Sequence, residues 1–108
     1  MWEALAIEYF QAFERKDIVC LRTMFSDDVR LTDWDVDVSG IDAVLAIDSN
    51  LFASVDSISV FPTSIFVCDN VAIAELVIKI DGVVTVRVVD ILEFDAQKKI
   101  KTVRAYKG

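Results

Sequence analysis

The sequence predicts one α+β domain in which three N-terminal helices pack on a strongly curved, mostly antiparallel sheet and enclose a pocket. Three observations support this. The chain has 108 residues, enough for one domain and too few for two, so residues 1–108 form a single unit. Apolar residues make up 55% of it, which is sufficient for a core. Helical periodicity dominates the first half, whereas an alternating pattern begins at Ser57.

The first predicted helix runs from Trp2 to Arg15. Apolar side chains repeat at helical spacing along one broad face, and charged side chains lie opposite. Tyr9 falls at the centre of the apolar stripe. We therefore expect its phenol to point into the domain.

A second helix, a first strand and a third helix complete the first half. Asp17 is placed to cap the second helix. Ser39 and Asp42 have the spacing of a capping box at the start of the third helix. The predicted bounds of these elements are 18–25, 29–34 and 41–55.

The second half is rich in β-branched residues that alternate with a period of two. Asp81-Gly82 separates two such runs and is a strong hairpin signal, since these residues tolerate the positive φ angles of a tight turn. The predicted strands are 57–67, 71–80, 83–94 and 99–106.

Composition excludes several classes of partner. The formal net charge is −7, and no basic stripe is present that could displace counterions from nucleic acid or attract an anionic membrane surface. The basic residues between Lys98 and Lys107 are interpreted as solvated positions on a terminal strand. Charged residues interrupt the apolar second half, so no membrane span is predicted. We expect neither nucleic acid nor membrane as a partner.

The cysteines indicate a reducing compartment. Cys20 falls in a predicted helix and Cys68 at the end of a predicted strand, without metal-site spacing, so both are expected to be buried free thiols. The first residues lack the basic and apolar regions of a secretory signal. The expected location is the cytoplasm.

The chain contains no histidine. This removes the commonest general base and the commonest metal ligand, as well as Ser-His and Cys-His nucleophiles. Catalysis would have to rest on carboxylates, tyrosine, arginine or backbone groups, and we expect no metal or cofactor.

Two aspartates occupy informative positions. Asp33 lies at the end of the first predicted strand, where it could act as a rigid, accessible base or bond the local backbone of a turn. Asp48 lies in the middle of the apolar stripe of the third helix. A carboxylate there must find partners, reach solvent or become protonated. The stripe predicts that Asp48 lines the pocket, unless the helix is rotated or a groove admits water.

Arg87 lies in the most strand-like stretch of the chain. An inward guanidinium would need an anion, because it cannot lose its charge, whereas an outward one would lie on a solvated or dimer face. Asp90 has the opposite parity, so the two side chains cannot both face the pocket. Tyr9 could bond a single polar partner or donate to a substrate oxyanion.

These residues carry a resemblance to the nuclear transport factor 2-like superfamily, in particular to its ketosteroid isomerase-like and SnoaL-type polyketide cyclase-like members. The resemblance spans nearly the whole chain in the right order and implies a cone-shaped sheet of the cystatin-like roll type. The stretches that carry it are Tyr9–Ile18, with its Lys16-Asp17 turn, Met24–Val29, Gly40–Val44 and Val89–Tyr106.

In ketosteroid isomerases a carboxylate base works with an oxyanion hole formed by a tyrosine and a protonated aspartic acid. The resemblance aligns Tyr9 with that tyrosine and Asp33 with the base. It places Arg87 where the protonated acid should be, and Asp48 where some isomerases carry a supporting tyrosine. We expect Arg87 and Asp48 to pair inside the pocket, with Trp34 and Phe52 as further substrate-binding residues.

Three functions are compatible with these residues. The first is an isomerase- or cyclase-like enzyme that transfers a proton through Asp33, Tyr9 and Arg87, on a small substrate that Arg87 would favour as an anion. The second is a non-catalytic domain that binds a small ligand. The third is an interaction module with an exposed aromatic groove formed by Phe52, Phe61 or Phe66.

Homodimerisation is expected for all three functions. Alternate residues of the third long strand form a strongly apolar face, and the opposite face is apolar too. A sheet that is apolar on both faces must be covered on both. The strongly apolar set is Val84, Val86, Val88, Leu92 and Phe94.

Overall fold

A computed structural model describes residues 1–108 and has the predicted α+β architecture of three helices and one curled sheet. The sheet has six strands in the order β2-β1-β6-β5-β4-β3, and only the β1–β6 pair is parallel. In chain order the elements are α1 Trp2–Glu14, α2 Ile18–Met24, β1 Phe25–Thr32, β2 Asp37–Ser39, α3 Ile41–Ser54, β3 Ile58–Cys68, β4 Val71–Ile80, β5 Val84–Phe94 and β6 Ile100–Lys107.

The sheet bends at three irregularities, between Phe25 and Arg30, between Pro62 and Ser64, and between Glu93 and Phe94. A bulge inserts an unpaired residue and increases local twist, which curls a sheet. Helix α1 packs against β3 and β4, and α3 packs against β1 and β2. The helices therefore lie on one side of the sheet, with the core between them.

The core combines small residues on α1 with large ones on the sheet. Ala6 and Ala12 are fully buried and let the helix approach the strands closely. Trp2 stacks on Phe94 of β5 with ring centroids 4.9 Å apart, which anchors the start of α1. On β5 the inner face carries Val86, Val88, Leu92 and Phe94, which is the parity that the sequence marked as strongly apolar.

Two local predictions are confirmed. The side chain of Asp17 accepts a hydrogen bond from the backbone N–H of Cys20 at 3.0 Å and caps α2. Asp81 and Gly82 form the β4–β5 turn with φ angles of 55° and 70°. Asp81 also accepts hydrogen bonds from the backbone N–H groups of Asp56 and Ser57, and so ties the hairpin to the end of α3.

Other local predictions were wrong. Strand β1 begins at Phe25, four residues early, because α2 leads into it without a loop. Ser39 ends the unpredicted strand β2 and caps nothing, since the N-cap of α3 is Gly40 at a φ of 97° with no side-chain cap.

No helix of the protein is both long and apolar enough to cross a membrane.

Candidate functional site

A cavity of about 210 Å³ lies between α1, α3 and the inner face of the sheet. Nineteen residues line it, of which 16 are hydrophobic, and the other three are all aspartates: Asp33, Asp48 and Asp90. The cavity is therefore apolar on most sides and acidic at three points. Its remaining lining residues are Tyr9, Phe10, Phe13, Leu31, Trp34, Ile47, Leu51, Ile58, Val60, Leu76, Ile78, Ile80, Val86, Val88, Val103 and Ala105.

Helix α1 holds Tyr9 in the cavity wall. Its side chain is 4% exposed, and its ring packs edge-on against Phe25 at 5.9 Å and tilted against Phe10 at 5.5 Å. Burial raises the pKa of the Tyr9 phenol well above its usual value, and the nearby charges of Asp48 and Asp90 raise it further. The phenol therefore stays neutral and can donate a hydrogen bond.

Asp33 stands where β1 ends, both in a turn and in the cavity wall. Its Oδ1 accepts hydrogen bonds from the backbone N–H groups of Asp35, at 2.7 Å, and Val36, at 2.8 Å, which is an aspartate turn. The same side chain lines the cavity. Oδ2 takes no part in the turn, so it is the oxygen available to a ligand.

Asp48 lies on the inner face of α3 and is only 5% exposed. Its Oδ2 is buried and has no hydrogen-bond partner within the protein. Burial raises the pKa of this carboxyl to about 7, and the negative charge of Asp90 contributes to the shift. Near neutral pH the group exchanges between its acid and its carboxylate.

Asp90 is the site residue that sequence reasoning missed. It shares the inner face of β5 with Val86 and Val88. Burial raises its pKa to about 7, with a further contribution from the charge of Asp33. The alternation pattern could have revealed it, because Asp90 falls on the same face of the strand as the most strongly apolar set of residues.

The expected inward position of Arg87 was wrong. Arg87 is exposed on the outer face of β5, opposite Val77 of β4, so it cannot pair with Asp48. A guanidinium keeps its charge at any accessible pH, whereas a buried carboxyl can take up a proton. The solvated face therefore suits the arginine, and Asp90 occupies the cavity.

The two aromatic candidates differ in position. Trp34 lines the mouth of the cavity and is 48% exposed, with the Lys107 ammonium 5.7 Å from its ring centroid. Phe52 does not line the cavity. It is buried and packs edge-on against Phe13 at 4.9 Å, so the structure does not place it with the expected substrate-binding residues.

No group of three or more His, Cys, Asp or Glu side chains is arranged so that it could hold a metal ion. The three carboxyls of the cavity interact through their charges: Asp33 raises the pKa of Asp90, and Asp90 raises the pKa of Asp48. Such coupled groups share protons as a set, and their titration belongs to the set.

The model of the SnoaL-like domain family matches residues 6–103, so the chain belongs to that family. Curated proteins provide no match. Solved structures share the fold at low identity. A SnoaL-like protein of unknown function from Burkholderia thailandensis is 8% identical with a TM-score of 0.87, over 99% of this chain and 93% of that one.

Two further neighbours are described by an activity. A candidate ketosteroid isomerase from Kribbella flavida is 16% identical with a TM-score of 0.86, over 99% of this chain and 77% of that one. An LEH-like epoxide hydrolase of Mycobacterium tuberculosis is 16% identical with a TM-score of 0.83, over 97% of this chain and 80% of that one. At this identity the similarity concerns the fold alone.

The pKa of Asp48 predicts how stability changes with pH. The folded state holds this proton more tightly than the unfolded chain, whose pKa is 3.8. The destabilisation caused by Asp48 is therefore absent below about pH 4, grows as the pH rises and is complete above about pH 7. Asp48→Asn should raise the free energy of unfolding at pH 8 by about 4 kcal/mol, because the pKa shift spans about three units at about 1.4 kcal/mol each.

At pH 4 the same substitution should have almost no effect, since the protonated acid and the amide are both neutral. Urea denaturation at the two pH values measures the difference. The exposed Asp42 on the same helix provides the control Asp42→Asn. Equal effects of Asp48→Asn at both pH values would contradict the raised pKa.

Proposed function

We propose that the protein is an enzyme of the ketosteroid isomerase type that moves a proton on a small carbonyl compound. The observation that carries the proposal is the presence of Tyr9, Asp33 and Asp90 in the wall of one apolar cavity. A carboxylate base beside two neutral donors is the set that enolate chemistry needs. Asp90 would act as the protonated acid of the oxyanion hole, the position at which the resemblance placed Arg87.

In the proposed step, Oδ2 of Asp33 removes a proton from a carbon next to the substrate carbonyl. The electrons of the C–H bond form a C=C bond, and the carbonyl oxygen gains the negative charge. The Tyr9 phenol and the protonated Asp90 donate hydrogen bonds to that oxygen. Asp33 then returns the proton to the same or another carbon, so that no co-reactant is consumed.

The size and charge of the cavity restrict the substrate. Sites for drug-sized ligands span about 300–1,000 Å³, so a volume of about 210 Å³ suits one ring and not a steroid. An anionic substrate, which an inward Arg87 would have favoured, is opposed by three carboxyls and no basic lining residue.

The proposal predicts exchange of acidic C–H protons. In D₂O at pH 7, cyclohexanone should lose its α-proton signals in ¹H NMR faster with the protein than with buffer alone. Asp33→Asn should reduce this exchange at least a hundredfold, because general bases contribute about 10²–10⁴-fold.

Arg87→Met is the matched control and should leave the exchange rate unchanged, because Arg87 lies on the outer face. Equal exchange by the unsubstituted protein and Asp33→Asn would contradict the role of Asp33.

A protein that binds the ketone without exchange would be a non-catalytic binding domain. That second candidate is favoured by one observation: backbone groups hold Oδ1 of Asp33 in a turn.

We also propose a homodimer that forms through the outer face of the sheet. This face carries apolar side chains on four adjacent strands, and both of its phenylalanines are exposed. Exposed apolar patches of this kind mark association surfaces. The side chains concerned are Phe61, Phe66, Ile73, Val77, Val89, Ile91 and Tyr106.

Light scattering should therefore give twice the mass of 12.1 kDa. Val89→Asp should convert this dimer to a monomer, because it puts a charge on the outer face of a central strand. Ser49→Asp, on an exposed position of α3, should leave the dimer intact. A monomer before any substitution would reject this interface and would leave the outer face open to a different partner.

We infer a reducing compartment, the cytoplasm, from the cysteines. Cys20 and Cys68 are both free thiols, and the exposed Cys68 would be open to oxidation elsewhere.

A further inference from the structure

All charged residues in the lining of the cavity are acidic. Three carboxyls line it, and no lysine or arginine does. Asp48 is 5% exposed, lies in the cavity wall and has an oxygen without any partner in the protein. A buried polar oxygen without a partner is costly, and its position in a cavity wall lets a ligand satisfy it.

We propose that the cavity binds a small organic cation, an ammonium group carried on a single apolar ring, with Asp48 as its main counterion. The inference rests on the proposed function in one respect, that the cavity is the ligand site. It names the substrate class: a carbonyl compound that also carries a basic nitrogen. It does not require turnover.

An ammonium group fits the free oxygens of the site. It has three donors and no acceptor, so it can bond Asp48 and still reach a second carboxyl. Hydrogen bonds between ionised partners are about twice as strong as neutral ones. A neutral alcohol of the same shape offers one donor and no charge, and a carboxylate would add a fourth acid to the cavity.

The apolar walls fit the rest of such a ligand. Tyr9, Phe10 and Phe13 present aromatic surfaces, and Trp34 stands at the mouth. An apolar cavity of about 150 Å³ is known to hold benzene. A volume of about 210 Å³ therefore leaves room for one ring and an arm of one or two atoms. Benzylamine has this size and chemistry.

The titratable groups that face Asp48 define the pH dependence. They are Tyr9 from α1, Asp33 from the turn after β1, and Asp90 from β5, while Lys107 at the mouth lies over Trp34. The ammonium prefers an ionised Asp48. With the pKa of Asp48 and Asp90 at about 7, binding should strengthen from pH 6 to pH 8 and should release protons at pH 6.

In the proposed proton transfer, Asp48 would hold the nitrogen and Asp90 would donate to the substrate oxygen. The bound ammonium cancels the charge of Asp48, so the acid form of Asp90 rests on its burial and on the charge of Asp33.

Isothermal titration calorimetry with benzylamine, benzyl alcohol and benzoate tests the inference. At pH 8 the dissociation constant of benzylamine should be at least tenfold lower than that of benzyl alcohol, and benzoate should bind weakest. At pH 6 the preference for the amine should shrink. Titrations in two buffers of different ionisation enthalpy should detect the protons that binding releases.

Asp48→Asn should remove the preference for benzylamine and keep the affinity for benzyl alcohol. Asp42→Asn changes the same residue type on the exposed face of the same helix, and it should keep the preference. Equal affinity for the amine and the alcohol in the unsubstituted protein would overturn the inference, whether or not the variants fold.

The outcomes separate this inference from the proposed function. Binding of benzyl alcohol without preference for the amine would reject the cation and keep the cavity as a ligand site. Failure of both compounds to bind would reject the cation site, and the exchange of cyclohexanone protons would still decide the proposed function. A preference for the amine in a protein that does not exchange C–H protons would keep the cation and reject the enzyme.

Discussion

Asp48 and Asp90 lie in an apolar cavity that offers them no basic side chain, and burial is the main reason why the pKa of both carboxyls rises to about 7. The charge of Asp33 opposes ionisation of Asp90 further. Leucine or valine at these positions would avoid the desolvation cost that a buried carboxyl carries. The fold tolerates the acids because each can take up a proton, so both carboxyls can change their charge near neutral pH.

The rest of the architecture positions these groups. Helix α1 supplies Tyr9 within a set of aromatic rings, α3 supplies Asp48, and the curled sheet supplies Asp90 between Val88 and Leu92. Asp33 is held by two backbone N–H groups where β1 ends. Groups that come from four separate segments can hold fixed relative positions only on a packed scaffold. The fold thus determines which protonation states are possible before any ligand enters.

Most of the fold could be predicted from the sequence, since helical periodicity, the Asp17 cap and the Asp81-Gly82 turn are local signals. Strand β2 escaped because it is three residues long and depends on pairing with β1. The site was harder. Both faces of β5 are apolar, so alternation alone could not tell which face turned inward, and the resemblance favoured Arg87 over Asp90. Burying a guanidinium costs more free energy than burying a carboxyl that can take up a proton, so Asp90 faces inward and Arg87 outward. An alternation pattern contains no information about this difference.

Two aspartates in the cavity wall should change charge near neutral pH, and a ¹³C NMR titration of the aspartate carboxyl carbons tests this directly. Two resonances should have midpoints near pH 7 and should disappear one at a time in Asp48→Asn and Asp90→Asn. Coupling implies that loss of either group lowers the midpoint of the other. Midpoints below about pH 5 for every aspartate, near the usual value of about 3.9, would contradict the account.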